Sequence, residues 1–367
     1  MKVANVVGAR PNFMKIAPIM RVERSDPFFD PILIHTGQHY DLKMSDVFFE
    51  ELGLPAPDAN LAVGSGSHGK QTGEVMVRFE EVVRLTKPDL VLVVGDVNST
   101  LAAAIVAAKL HIPVAHVEAG LRSFDRSMPE EINRVLTDAV SDFLFATERS
   151  AVKNLAAEGI SAGRVFFVGN VMIDALLANR QRAAQSKILD ALGLAEGRYA
   201  VLTLHRPSNV EDPKSLAGIV AAIEEIARQV TIVFPAHPRT LKQIEESGFL
   251  ERLEKRKNIR VIEPLGYVDF LRLVDLSALV LTDSGSLQEE TTVLGLPCLT
   301  LRENTERPVT VEQGTNVLVG SDTGRIVAAA GDALRGGRRT ARIPELWDGR
   351  AAERVVGILK SHFASRD

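Results

Sequence analysis

Short apolar runs alternate with helical patterns along the whole chain. In the first half, Lys2–Val7, Pro31–His35, Leu90–Val94, Val114–His116, Phe143–Ala146 and Val165–Val168 read as strands, with helical segments such as Leu101–Lys109 and Ser150–Glu158 between them. The second half starts again with Ala200–Leu204, Thr231–Pro235, Arg260–Ile262, Leu279–Thr282, Cys298–Leu301 and Val317–Val319. Several runs are continuously apolar, as strands covered on both faces must be. Alternation of this kind predicts α/β architecture with parallel sheets between helical layers. A polar helical stretch, Ala178–Leu194, is the expected link between the two sets. The chain then forms two Rossmann-like, doubly wound domains facing a central cleft. No solenoid-length repeat or low-complexity tail interrupts the pattern.

In open α/β sheets ligands bind beyond the carboxyl ends of the strands, so the residues just after each run carry the candidate chemistry. After Ile112–Ala115 come His116-Val117-Glu118-Ala119-Gly120-Leu121-Arg122 and then Pro129-Glu130-Glu131-Ile132-Asn133-Arg134. Carboxylates and guanidinium groups in such a loop point to a polar site, with structural ion pairing as the competing reading. The first strand runs into Gly8-Ala9-Arg10-Pro11, where a tight turn, a helix start, Arg10 and Lys15 suit a phosphate. A plain strand-to-helix turn accounts for the same residues, and Gly-x-Gly-x-x-Gly is absent. Asp96, at the mouth of Leu90–Val94, could take a proton or cap the next helix. His205 and Arg206 end another strand and suit a phosphate or a proton transfer; Pro235–Arg239 is a second loop of this type. Thr282-Asp283-Ser284-Gly285-Ser286-Leu287-Gln288-Glu289-Glu290 offers amides and hydroxyls to phosphate and a glutamate to ribose. The same turn also reads as a serine-capped helix with acids near its positive end. Tyr267 and Phe270 could carry a uracil, although core packing suits Phe270 too.

Bulk properties narrow the classes. At 367 residues, 46% of them hydrophobic and 25% charged, the chain has room for two ordinary globular domains. A net charge of −4 gives no reason to expect nucleic acid or a membrane surface as partner. Cys298 is the one cysteine, which rules out an intrachain disulfide, suits a reducing cytoplasm and reads as a core residue. No signal-like segment precedes the first strand, and no apolar run has membrane-spanning length. No metal-ligand spacing or cofactor motif stands out, so no metal or cofactor is expected. Arginines, histidine and helix ends would then offset a diphosphate charge.

Taken in order, these motifs resemble the non-hydrolysing UDP-N-acetylglucosamine 2-epimerases. The resemblance covers Gly8–Pro11 with Lys15, Thr36–His39, Gly95-Asp96, His116–Arg122, Pro129–Arg134, His205-Arg206, Asp283–Glu290 and Glu306-Arg307-Pro308. It implies a GT-B-like pair of domains, 1–177 and 178–349, with a last helix within 350–367 returning to the first, and a homodimer. It implies reversible inversion at C2 of a UDP-sugar, by anti elimination of UDP to 2-acetamidoglucal and re-addition. Asp96, Glu118 and Glu130 then resemble the acid/base carboxylates. Arg10, His205, Ser284 and Gly285 resemble the diphosphate contacts, Lys15 a positioning or phosphate-facing cation, and Glu290 the ribose binder. His205 joins the catalytic set, while Arg134, Arg206, Tyr267, Phe270, Ser286 and Arg307 complete the expected substrate contacts. Four departures stand out. Ala9 and Asn12 replace the commoner Thr and Glu, the segment from Arg122 to Pro129 is short, and Val309 replaces an acid after Arg307-Pro308. The stretch Gly64–Gln71 lacks an Arg-Gln pair, so weak or absent activation by substrate is expected. Related readings are a 2-epimerase of UDP-2,3-diacetamido sugars or their uronates, for which Arg126 could meet the acid, and a GT-B glycosyltransferase.

Overall fold

The computed structural model describes residues 1–38, 49–337 and 342–365. It divides into two compact units, Met1–Ala178 with Glu345–Asp367, and Asn179–Pro344. The first unit holds β1 (Lys2–Val7), β2 (Asp30–His35), β3 (Ala59–Asn60), β4 (Leu90–Val94), β5 (Val114–Ala119), β6 (Phe143–Ala146) and β7 (Val165–Phe167). Their order is β3-β2-β1-β4-β5-β6-β7, and every pairing is parallel. The second unit holds β8 (Tyr199–Thr203), β9 (Thr231–Pro235), β10 (Ile259–Ile262), β11 (Leu279–Thr282), β12 (Cys298–Thr300) and β13 (Asn316–Leu318). Their order is β10-β9-β8-β11-β12-β13, again all parallel.

Continuous apolar strands are buried where the pattern requires it. All five residues of β4 are buried, and β8 and β11 bury all but Thr203. Each sheet reverses its winding once, between β1 and β4 and between β8 and β11. Loops diverge at such a switch point and leave a crevice at the carboxyl ends. Cys298 lies fully buried on β12, where burial pushes its thiol up to about 12. Its behaviour is that of a core residue.

Two expectations need correction, and one short strand is added. The strand expected to end at His116 continues through Ala119, so His116 and Glu118 lie in β5 rather than in a loop. The expected link Ala178–Leu194 is not one helix: Val171–Ala183 and Ile188–Leu192 are separate. Ser186 accounts for the break, because its hydroxyl accepts from the Ile188 amide at 3.1 Å and competes with the helical ladder. The two-residue strand β3 has no counterpart among the predicted runs, being too short to leave a pattern.

The helix Ala351–Ala364 packs on the helix Arg10–Ser25 of the first unit. Asp174 fastens its start, accepting from the Ala351 and Ala352 amides at 3.1 and 2.7 Å. Lys360 pairs with Asp26 at 2.7 Å near its end. Among the described residues no helix is long and apolar enough to cross a membrane.

Candidate active site

In the first unit, β1, β4 and β5 present their ends side by side. A Cβ at Gly8 would lie 2.3 Å from the Ser99 hydroxyl and 2.8 Å from that of Thr36, so the turn after β1 tolerates only glycine. The Gly8 and Ala9 amides donate to Asn12 Oδ1 at 3.1 and 3.0 Å, and Asn12 Nδ2 donates to the Val94 carbonyl at 3.0 Å. Asn12 therefore closes the helix start and ties it to β4, even though it departs from the familiar glutamate. Arg10 opens the helix and is half-buried.

Lys15 projects from that helix and is buried rather than displayed to solvent. Its ammonium forms an ion pair with Glu118, and each side chain is 5% exposed. Glu118 reaches this position through an irregular strand. The β5–β6 register slips between Val117 and Ala119, and Glu118 has φ +75°. A left-handed non-glycine residue costs of order 1–3 kcal/mol and persists only where its surroundings hold it. Gly95 makes room for the pair, since a Cβ there would sit 2.9 Å from Lys15 Nζ.

Asp96 follows at the mouth of β4 with its side chain 22% exposed. It does not cap the helix Asn98–Lys109, whose N-cap is Val97. Arg134 grips it, with Nε and Nη2 both on Oδ2 at 3.0 and 2.6 Å. The same guanidinium holds Glu131 at 2.7 Å, and Glu131 accepts from the Ser123 and Phe124 amides at 2.9 Å each. Arg134, expected to contact substrate, is thus the clamp on Asp96. Glu130, one residue earlier, is only half-buried, and its side chain makes no hydrogen bond or ion pair among the described residues.

Most of the other charges around β5 serve structural ion pairing. His116 is fully buried, with Nδ1 2.7 Å from Asp138 and Nε2 2.8 Å from the Gly95 carbonyl. Arg122 holds Asp138 at 2.6 Å and Glu158 at 2.7 Å. Burial alone would raise the Asp138 carboxyl, but His116 and Arg122 more than offset that and lower it. Asp138 also accepts from the Gly120 amide at 3.0 Å, so this network braces the turns on both sides of Glu118.

In the second unit, Asp283 at the end of β11 organises the switch point. It is fully buried and accepts from the His205 and Arg206 amides at 3.0 and 2.9 Å and from Asn209 at 3.2 Å. His205 Nδ1 lies 2.7 Å away. Burial opposes its ionisation, but these donors pull its carboxyl down to about 2. With Nδ1 engaged, the His205 ring is fixed and its side chain remains 53% exposed. Asp283 is a functional residue that its motif alone does not single out. Its position directly after a buried strand is the signal in the sequence.

Ser284 stands at the N-cap of the helix Gly285–Leu294, yet its hydroxyl makes no cap hydrogen bond. It lies 3.2 Å from the Ser286 hydroxyl instead, so the serine-cap reading fails. Gln288 fixes the turn by donating to the Ser284 carbonyl at 3.1 Å. Two hydroxyls, a helix N-terminus and His205 lie together in an arrangement whose donors suit an anion. Arg206 flanks it, 3.3 Å from the Asp283 carbonyl and 3.6 Å from Glu306. Arg307 is buried behind Gly285, with Nε on Glu289 at 2.7 Å and Nη1 on Glu306 at 3.3 Å. It supports the turn from within.

Tyr267 does not present its ring as a platform. It is 3% exposed, and its hydroxyl donates to Glu290 Oε1 at 3.0 Å. Burial pushes the Glu290 carboxyl up to about 7, against the pull of Tyr267. Phe270, one helical turn on, is half-buried.

Comparison with known proteins gives this fold a family. The profile of the UDP-N-acetylglucosamine 2-epimerase family matches residues 21–360. The UDP-N-acetylglucosamine 2-epimerase of Methanocaldococcus jannaschii is 46% identical over 98% of this chain and 99% of its own. The structure of the M. jannaschii enzyme in complex with UDP-GlcNAc and UDP superposes with TM-score 0.93, covering 98% of this chain and all of that one. A UDP-2,3-diacetamido-2,3-dideoxy-D-glucuronate 2-epimerase of Pseudomonas aeruginosa is 44% identical over 94% of this chain and 99% of its own. Two parallel Rossmann-like sheets, with carboxylates at the ends of one and hydroxyls beside a helix N-terminus at the switch point of the other, therefore have a family setting: the chain belongs to the UDP-N-acetylglucosamine 2-epimerases, and its reaction class is that of an isomerase.

Proposed function

We propose that the chain interconverts UDP-N-acetylglucosamine and UDP-N-acetylmannosamine by eliminating UDP to 2-acetamidoglucal and adding it back. The observation that carries this reading is the division of chemistry between the units: a buried acid–base pair and a clamped aspartate in one, and in the other hydroxyls and a helix N-terminus beside carboxylates that protein donors already hold, Asp283 by the His205 and Arg206 amides and Glu289 and Glu306 by Arg307. Ser284, Ser286, the amides from Gly285 onward, Arg206 and His205 receive the diphosphate, and Glu290 receives the ribose. Arg10 adds positive charge from the first unit. As the C1–O bond breaks, charge grows on the departing UDP, and preorganised donors aimed at it supply the largest stabilising term. The C2 proton leaves to, and returns from, carboxylates of the first unit. Glu118, paired with Lys15, serves one face of C2, while Asp96 and Glu130 serve the other. General acid–base catalysis of this kind contributes about a hundred- to ten-thousand-fold.

The relative from P. aeruginosa supports a second reading, a UDP-2,3-diacetamido uronate as substrate, because its identity to this chain is close to that of the M. jannaschii enzyme. Arg126, exposed in the loop after β5, is the cation that would meet a C6 carboxylate. We place the activity in the cytoplasm and in a homodimer. The dimer assignment is supported by exposed Val77 and Leu85 on the helix His68–Thr86 and Ile132 and Leu136 on Pro129–Val140.

Incubation with UDP-N-acetylglucosamine in D₂O, with no acceptor and no added metal, tests the reaction. Deuterium at C2, a mixture of both epimers and little free UDP are expected. Stoichiometric UDP release, or no exchange, overturns it. The diacetamido uronate assayed in parallel decides the sugar.

A further inference from the structure

We propose that Tyr267 is a positioning residue that makes the nucleotide site prefer ribose over deoxyribose, acting through Glu290. The inference rests on the reading of Glu290 as the ribose binder. Tyr267 starts the helix Tyr267–Asp275 and Glu290 lies on Gly285–Leu294, with side chains packed at 3% and 4% exposure. The phenol hydroxyl donates to Oε1 at 3.0 Å, and among the described residues Oε2 accepts nothing. A ribose diol donates two protons, and a carboxylate can accept both while a neutral carboxylic acid offers fewer acceptor positions. Tyr267 occupies one oxygen, fixes the plane of the carboxylate and leaves Oε2 for the sugar.

Protonation is part of the device. Burial drives Glu290 toward its neutral form, Tyr267 opposes this, and neighbouring Glu289 reinforces it, leaving the group at about 7. Arg307 holds Glu289 and also meets Glu306; Asp283 lies at the end of β11, and Cys298 on β12 stays protonated in this range. Tyr267 is the group among these that donates to Glu290 itself.

The test compares affinities for UDP, 2′-deoxy-UDP and 3′-deoxy-UDP by calorimetry from pH 6 to 8.5. Ratios cancel the titration of the phosphate. The wild-type chain should favour ribose about ten- to a hundredfold at pH 8, the range of a hydrogen bond to a charged group. That preference should decline as Glu290 becomes neutral below pH 7. Tyr267→Phe should lower the ratio at least threefold at pH 7.5, move its rise to higher pH, and leave deoxy affinity within twofold. In a Glu290→Gln background the same change should do nothing. Replacing Tyr267 by 3-fluorotyrosine, a stronger donor with the same packing, should shift the rise to lower pH and decides the matter if Tyr267→Phe does not fold. If Glu290→Gln removes the preference while both Tyr267 variants keep the wild-type profile, the proposal is wrong and the ribose role of Glu290 stands. If Glu290→Gln keeps the preference, both fall.

Discussion

Replacing Glu118 with Gln separates the two things this residue is asked to do. Its carboxylate neutralises Lys15 in a place where both side chains are 5% exposed. Removing one charge from a buried pair costs about 3–5 kcal/mol, because the remaining ion keeps its desolvation penalty without compensation. The glutamine carbonyl still accepts one hydrogen bond from the ammonium, which places the expected loss at the lower end, about 3 kcal/mol. For a unit of this size each kcal/mol moves the melting temperature by about 2–4 °C, so a fall of about 6–12 °C is expected. Lys15→Met combined with Glu118→Gln removes both charges and should recover most of that loss. Chemistry should not recover: C2 deuterium exchange should drop at least about a hundredfold in the single and the double variant. UDP affinity should stay near wild type in Glu118→Gln, since the nucleotide is assigned to the other unit. A variant that melts with the wild type would refute the buried pair. One that exchanges deuterium at the wild-type rate would remove Glu118 from the acid–base set.

Two further outcomes are expected. A Cβ at Gly285 would lie 2.5 Å from Arg307 Nη1, and Arg307 is pinned by Glu289 and Glu306. Gly285→Ala should therefore destabilise the second unit by about 1–3 kcal/mol and weaken UDP binding at least tenfold by calorimetry; unchanged affinity would contradict the assigned anion site. Glu23 is fully buried against Asn5 at 2.8 Å, and burial raises its carboxyl to about 8, well above its usual value. The folded state holds this proton more tightly than the unfolded chain, so the stabilising contribution is complete below about pH 4.5 and is lost as pH climbs toward 8. Glu23→Gln should be more stable than wild type above pH 7, with the gain levelling off past pH 8, as read by thermal melts from pH 5 to 9. A difference that does not depend on pH would show that Glu23 is not the titrating group.

Local sequence determined more of this protein than its motifs alone suggest. A strand buried on both faces needs a continuous apolar run, and a run such as Leu90–Val94 announces itself without knowledge of its neighbours. The position of the chemistry followed, because loops at the ends of parallel strands are where polar groups can face a ligand. The choice of partner was not legible. His116 and Glu118 share a strand and a spacing of two, yet one joins Asp138 and the other Lys15, and the slip in register at Glu118 separates them. Arg134, Arg307 and Tyr267 carry chemistry that suits a substrate, and tertiary packing turned each toward a carboxylate of the protein. Asp283 acquired its importance only when β8 and β11 became neighbours and delivered their donors to one buried oxygen pair. Burial along a strand is a property of the segment itself. Ion pairs and hydrogen bonds are properties of distance in space, which the chain acquires only when its sheets assemble.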